Sequence, residues 1–271
     1  MDDTANPAQG AETSLTGSVA RVVHLLEVIA IGDGEELGVR GLARETGIDK
    51  SAVSRLLSQL AELDMLEPTG QPGRYRIGPR FFAVGAAVTS KDQLWLASRP
   101  MLERLVERFN ETSYLAVLER DEVVFREIVE CDQSIRYVVE LGRRAPLHAG
   151  SAGRAILAGL TDDEVDTVLS RPLEQVTPKT ITDPDELRSR VAADRERGYT
   201  LSAGERNVGG VGIAAPFFAA DGRCKGSLVI TMPQLRWEPE REPEFADAIM
   251  ATAAELSARL GHHGGRHGAS A

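Results

Sequence analysis

The chain has 271 residues, enough for two domains of ordinary size, and its 42% hydrophobic and 27% charged content excludes collagen-like and wholly disordered chains. The longest apolar runs, such as 211–218, are under half a membrane span and include Pro216, and Met1-Asp2-Asp3 opens no secretory leader, so neither a membrane protein nor a secreted one is expected. Two cysteines, Cys131 and Cys224, are too few for a disulfide framework or a Cys-based zinc site and fit a cytoplasmic protein; the net charge of −10 argues against a nonspecific polyanion binder but leaves room for a locally basic face.

Residues 1–17 lack periodic apolar positions and read as a disordered leader. From Ser18, available as an N-cap, Val19, Val22, Val23, Leu26 and Ile29 recur at helical spacing until Gly32-Asp33-Gly34. A short second helix carries Val39, Leu42 and Ala43 and stops at Gly47; a third runs through Leu63 with Val53, Leu56, Leu57 and Leu60 as its buried stripe. Met65-Leu66-Glu67 and Arg74-Tyr75-Arg76-Ile77 then read as strands around the turn Pro68-Thr69-Gly70-Gln71-Pro72-Gly73. Helix, helix–turn–helix and hairpin within residues 18–80 is the order of a winged helix-turn-helix.

The pattern over 81–97 predicts a linker helix. From residue 98 to 262 the character is that of an α+β domain around an antiparallel sheet. Strands are expected over 113–118, 123–129, 135–139, 199–202, 211–218 and 226–232. Helices are expected around Leu102, Leu105, Val106 and Phe109, then over 152–158, 162–169, 183–197 and 239–260. The His- and Gly-rich end, 263–271, reads as a flexible tail rather than a metal site.

Charge is segregated within residues 18–80. Eight Lys or Arg face nine Asp or Glu, a net of −1, yet 50–61 hold Lys50 and Arg55 without an acid, and 68–80 hold Arg74, Arg76 and Arg80 without one. Lys50, Ser51, Ser54 and Arg55 cluster at the N-terminal end of the third helix, the end that enters a major groove. There Arg55 suits a guanine edge and the serines suit bases or phosphates, while Arg74 and Arg76 on the wing suit phosphate or the minor groove. The bland alternative is a solvated face of a helical packing module.

Two enzyme-like patterns are weak. Gly210-x-Gly212-x-x-Ala215 mimics a dinucleotide fingerprint, but Pro216-Phe217-Phe218 continues a strand where the fingerprint needs a helix. Gly150-Ser151-Ala152-Gly153 near His148 has Ala149 where a nucleophile elbow needs glycine. No cofactor, metal or catalytic residue is assigned.

Several motifs in order resemble the IclR family of bacterial transcriptional regulators, over about residues 18–260. They are Ser18-Val19-Ala20-Arg21 with Leu25-Leu26, the run from Gly41-Leu42-Ala43-Arg44 to Ser54-Arg55-Leu56-Leu57, and Tyr75-Arg76-Ile77-Gly78-Pro79-Arg80. Ala145-Pro146-Leu147-His148-Ala149, Gly153-Arg154-Ala155, Arg197-Gly198-Tyr199 with Glu205, and Ile213-Ala214-Ala215-Pro216 follow. The resemblance implies a GAF-like effector domain after the winged helix and a homodimer or dimer of dimers on double-stranded operator DNA. It places effector-binding positions at Tyr137, Ser151, Ala152, Ser202, Gly212, Val229 and Thr231. From the residues themselves, Val229 and Thr231 share a strand face, and Ser151 and Ala152 open a helix whose N–H groups suit a carboxylate. Gly212, Phe217 and Ala219 depart from the family signature. Glycine at 212 is expected to leave room for an organic acid larger than a two- or three-carbon oxo acid. The function expected is therefore an effector-responsive DNA-binding regulator. The alternatives are an enzyme whose N-terminal helices only pack or dimerise, and a DNA-binding protein whose second domain only oligomerises.

Overall fold

The computed structural model describes residues 17–31, 38–89 and 92–262. They form two compact units, divided between residues 91 and 92.

The first unit comprises α1 (Ser18–Ile31), α2 (Val39–Thr46), α3 (Lys50–Glu62), β1 (Leu66–Pro68), β2 (Tyr75–Ile77) and α4 (Pro79–Thr89). The Gly17 carbonyl accepts from the Arg21 N–H at 3.1 Å, so Ser18 is the first residue inside α1 and not its cap. The expected stop at Gly32-Asp33-Gly34 lies outside the described residues. Gly47, at φ 67°, ends α2 in the left-handed conformation that glycine adopts without a Cβ clash, and so sets the turn into α3. Leu25, Leu42, Ile48, Val53, Leu57, Leu60 and Leu66 make one buried cluster, with Leu56 packed against its edge. The hairpin pairs Leu66 with Ile77 and Glu67 with Arg76.

The single linker helix expected over 81–97 is instead two helices. α4 ends at Thr89, and α5 (Gln93–Phe109) begins afresh. The Asp92 carboxylate accepts from the Leu94 and Trp95 N–H groups at 3.0 and 3.1 Å, an N-cap that apolar periodicity does not register.

The second unit continues through β3 (Thr112–Glu119), β4 (Glu122–Val129), β5 (Arg144–Pro146), α6 (Gly150–Gly159), α7 (Asp162–Leu169) and α8 (Pro184–Arg197). β6 (Thr200–Ala203), β7 (Gly210–Phe218), β8 (Cys224–Pro233) and α9 (Glu242–Arg259) complete it. The strands form one six-stranded sheet in the order β5-β4-β3-β8-β7-β6, antiparallel at every pairing. Alternate side chains leave opposite faces. Leu115, Val117, Val211, Ile213, Phe217, Leu228 and Ile230 pack with α5 and α9. Tyr114, Ala116, Phe125, Ala214 and Val229 pack with α6, α7 and α8. The fold is α+β: a winged helix-turn-helix followed by a three-layer helix–sheet–helix unit.

The strand expected over 135–139 does not form. Ile135 and Val138 are exposed, so the run has no continuous half-buried face. The sheet edge beside β4 is taken by the short β5, with Glu122 opposite Pro146.

Candidate DNA-reading face and effector cavity

In the first unit, burying Val53, Leu57 and Leu60 turns Lys50, Ser51, Ser54 and Arg55 outward, and all four are exposed. Asp49, just ahead of them, caps α3. It accepts from the Ser51 N–H at 2.8 Å, the Ser51 hydroxyl at 2.6 Å and the Ala52 N–H at 3.3 Å. These bonds hold its carboxyl below the usual aspartate range. Two of the free N–H groups of α3, those of Ser51 and Ala52, are thus already occupied, and the Ser51 hydroxyl proton is given to the cap. What α3 presents outward is the side chains of Lys50, Ser54 and Arg55.

On the wing, Arg76 is exposed and ion-paired across the hairpin with Glu67. The acid-free stretch seen in the sequence is therefore not acid-free in space, because antiparallel pairing sets residue 67 opposite 76. Arg74 is half-buried, and its backbone bridges to Gly38.

The second unit holds a cavity of about 30 Å³ between the start of α6, the β6–β7 connection and the ends of β7 and β8. That is enough to hold ordered water. Ser151, Ala152, Ser202, Gly212 and Thr231 line it, as the sequence places them; Tyr137 and Val229 do not. Val229 is fully buried in the cluster under α6. The Tyr137 hydroxyl donates to the Val208 carbonyl at 2.8 Å, and its ring lies against Gly210 beside the cavity. The Thr231 hydroxyl donates to the Val211 carbonyl at 3.1 Å, so its proton is used within the sheet. The room expected at Gly212 is not empty. A Cβ there would sit 2.4 Å from Ser151 Oγ, so the missing side chain is where Ser151 packs. The inference from Gly212 to a larger effector has no support in this geometry.

Ser151 is not the helix cap. Ala149 holds that position and supplies no side-chain hydrogen bond, so the first N–H groups of α6 face the cavity without a capping side chain. Behind them Arg154 is 1% exposed, and its Nε donates to Asp194 at 3.0 Å while its Nη2 donates to the Leu201 carbonyl at 2.7 Å. Glu205, on the cavity wall, is its second carboxylate partner. Burial works against the Arg154 cation, but Glu205 and Asp194 outweigh it and hold its pKa above the ordinary value.

Residues that the sequence reading did not assign also line the cavity: Tyr114, Val139, Glu205, Arg206 and Asn207. Strand parity could have found Tyr114, which stands opposite Val229 in the β3–β8 register. Arg206, a single cation in a glycine-bounded loop, carries no periodic signal. The enzyme-like patterns resolve structurally. β7 runs unbroken from Gly210 to Phe218, and His148 Nε2 contacts the Glu174 carbonyl at 2.8 Å, inside the fold. Both cysteines are buried, and burial pushes the Cys224 thiol up to about 12.

A winged helix-turn-helix that turns a polar, basic helix end outward, followed in the same chain by an antiparallel-sheet unit with an internal cavity, is the plan of a one-component transcriptional regulator. Residues 18–70 match the IclR helix-turn-helix domain, and residues 86–258 match the family described as bacterial transcriptional regulator IclR C-terminal. The chain belongs to the IclR family of bacterial transcriptional regulators. It is 33% identical to the HTH-type transcriptional regulator BhcR of Paracoccus denitrificans, over 88% of this chain and 85% of that one. It is 30% identical to the transcriptional repressor IclR of Escherichia coli, over 94% and 92%. Among solved structures it resembles an IclR homologue from Microbacterium hydrocarbonoxydans complexed with 4-hydroxybenzoate, with a TM-score of 0.76, 27% identity and coverage of 89% and 98%. Among the described residues no helix is long and apolar enough to cross a membrane.

Proposed function

We propose that this regulator binds operator DNA through α3 and the β1–β2 wing, as a homodimer or dimer of dimers, and that a small organic acid occupying the cavity at the start of α6 changes its DNA affinity. The observation that carries the first half is the exposure of Lys50, Ser54 and Arg55 over the buried Val53–Leu57–Leu60 stripe. In this reading Arg55 contacts a base edge, Lys50 and Ser54 hold bases or phosphates, Ser51 offers its oxygen to a base donor because its proton is held by Asp49, and Arg74 and Arg76 contact the backbone. Ser151, Ala152, Ser202, Gly212 and Thr231 form the effector wall, with the uncapped N–H groups of α6 directed at an anion. The solved relative holding 4-hydroxybenzoate supports a carboxylate as the ligand class. The cavity is small and partly open to solvent, and a change in its shape on binding is what can couple ligand to DNA.

A gel shift of the full chain on DNA upstream of its own gene, with and without a panel of carboxylates, tests this. A retarded band that a carboxylate releases or strengthens is the expected result. No retardation on any upstream fragment overturns the DNA-binding reading, and a band that no carboxylate alters overturns the effector reading.

A further inference from the structure

The cavity carries one positive charge with no partner. Arg206 lies on its wall, with the guanidinium carbon 4.2 Å from the centroid of the Phe125 ring. Among the described residues its side chain makes no ion pair and no hydrogen bond. The contrast with other arginines of this unit is plain: Arg154 is matched to Asp194 and Glu205, Arg236 to Glu111, and Arg195 to Asp162. Glu205 is the one carboxylate on the cavity wall, and Arg154 already holds it.

Beside Arg206 stands a second unsatisfied group. Tyr114 is only 5% exposed and lines the same cavity, yet its hydroxyl has no hydrogen-bond partner among the described residues. Its ring meets Phe125 edge-on, with centroids 5.2 Å apart, so Phe125 carries both Tyr114 on its flank and Arg206 on its face. Burial raises the Tyr114 pKa and the Arg206 charge opposes that rise, which places phenol and guanidinium within each other's field. Burial in turn lowers the Arg206 pKa, as it does for a cation held out of water without a counter-charge. A hydroxyl and a half-buried cation, both without a protein partner among the described residues, thus meet at one small cavity and are available to a ligand.

We propose that Arg206 and Tyr114 are the anion-recognition pair of this cavity: the guanidinium pairs with a carboxylate of the effector, and the Tyr114 hydroxyl donates to the same group. The proposal rests on the reading of the cavity as the effector site and narrows it. The effector is an anion at neutral pH, and its neutral amide is rejected because it leaves the guanidinium uncompensated in a site with little water.

The test is a calorimetric titration of the full chain with carboxylates of rising size, namely acetate, glyoxylate, benzoate and 4-hydroxybenzoate, each against its primary amide. At least one carboxylate should bind and its amide should bind at least ~10-fold more weakly. Arg206→Gln should weaken that carboxylate by roughly 30-fold or more, and Tyr114→Phe by about 10-fold. Arg206→Lys, which keeps the charge but not the fork, should fall between wild type and Arg206→Gln. Melting curves without ligand establish that each variant is folded, and Arg206→Lys keeps the test decisive if Arg206→Gln is not. Equal affinity for acid and amide, or no carboxylate bound at all, overturns the proposal. If Arg206→Gln binds as tightly as wild type while Ser151→Val abolishes binding, the cavity stands as the effector site and Arg206 is not its anchor. If neither change matters, the ligand binds elsewhere and both readings fall.

Discussion

Arg55 and Asp49 bracket the first turn of α3 and do opposite things. Arg55 is exposed and off the buried stripe, so Arg55→Ala should weaken specific operator binding by roughly 1–3 kcal/mol and leave the thermal midpoint almost unchanged. Fluorescence anisotropy on the operator with a parallel melt checks both; undiminished operator affinity removes Arg55 from the reading face. Asp49 holds the helix itself. Its folded pKa is depressed by the Ser51 hydroxyl, then by the Ser51 and Ala52 N–H groups. A depressed carboxyl contributes stability that is present above its unfolded pKa and is lost as pH falls through the folded one. Asp49→Asn keeps a cap but cannot titrate, so wild type should exceed it in stability at pH 7. The gap should close below about pH 4, as followed by urea unfolding at several pH values. A gap independent of pH would mean that the carboxylate charge does not hold α3.

The elements tie the cavity into the core and set the wing. Arg154 of α6 joins α8 through Asp194 and the β6 segment through the Leu201 carbonyl, at 1% exposure. Replacing it by methionine leaves Asp194, itself fully buried, with the partly exposed Arg197 as its cation. Arg154→Met should cost about 3–5 kcal/mol in denaturant unfolding, since breaking one side of a buried pair leaves the other undercompensated. A cost within 1 kcal/mol, inside the range usual for a surface pair, would mean that water or Arg197 compensates Asp194. In the hairpin, the exposed ion pair with Glu67 competes with a phosphate for Arg76. Glu67→Gln should free it and strengthen binding to all DNA alike with a steeper salt dependence, whereas Arg76→Ala should weaken binding uniformly and flatten the slope by about one unit. Salt titrations of affinity read both, and slopes equal to wild type in both variants would take the wing out of the interface. α5 shows how local signals mislead about elements. The sequence pattern puts a helix around Leu102, Leu105, Val106 and Phe109, yet α5 starts at Gln93 and passes through Pro100. The Asp92 cap and the burial of Ser98, Met101, Leu102 and Leu105 outweigh the ~3 kcal/mol that a mid-helix proline typically costs.

At the scale of the whole molecule, a ligand that changes DNA affinity must have its own affinity changed by DNA by the same factor. If a carboxylate lowers operator affinity tenfold, the operator-bound full chain should bind that carboxylate tenfold more weakly than the free chain does. Equilibrium dialysis on both forms measures this, and a mismatch would point to a change of oligomeric state between the two. What the sequence determined by itself was everything set by periodicity and turn chemistry. The 3.6-residue stripe fixed α3 and its outward face, short apolar runs bounded by turn residues fixed β3, β4, β7 and β8, and the glycine at 47 fixed the turn between α2 and α3. Of the positions that the family resemblance supplies, Ser151, Ala152, Ser202, Gly212 and Thr231 line the cavity, and of these the helix start at Ser151 and Ala152 was legible from the residues themselves because a helix start is a local property. Tertiary structure decided what depends on neighbours distant in sequence. It set Glu67 against Arg76, filled the space at Gly212 with Ser151, took Val229 out of the cavity and broke the helix expected over 81–97. It also left Arg206 at the cavity without a counter-ion among the described residues. Charge compensation is a property of which side chains meet in space, and no spacing along the chain encodes it.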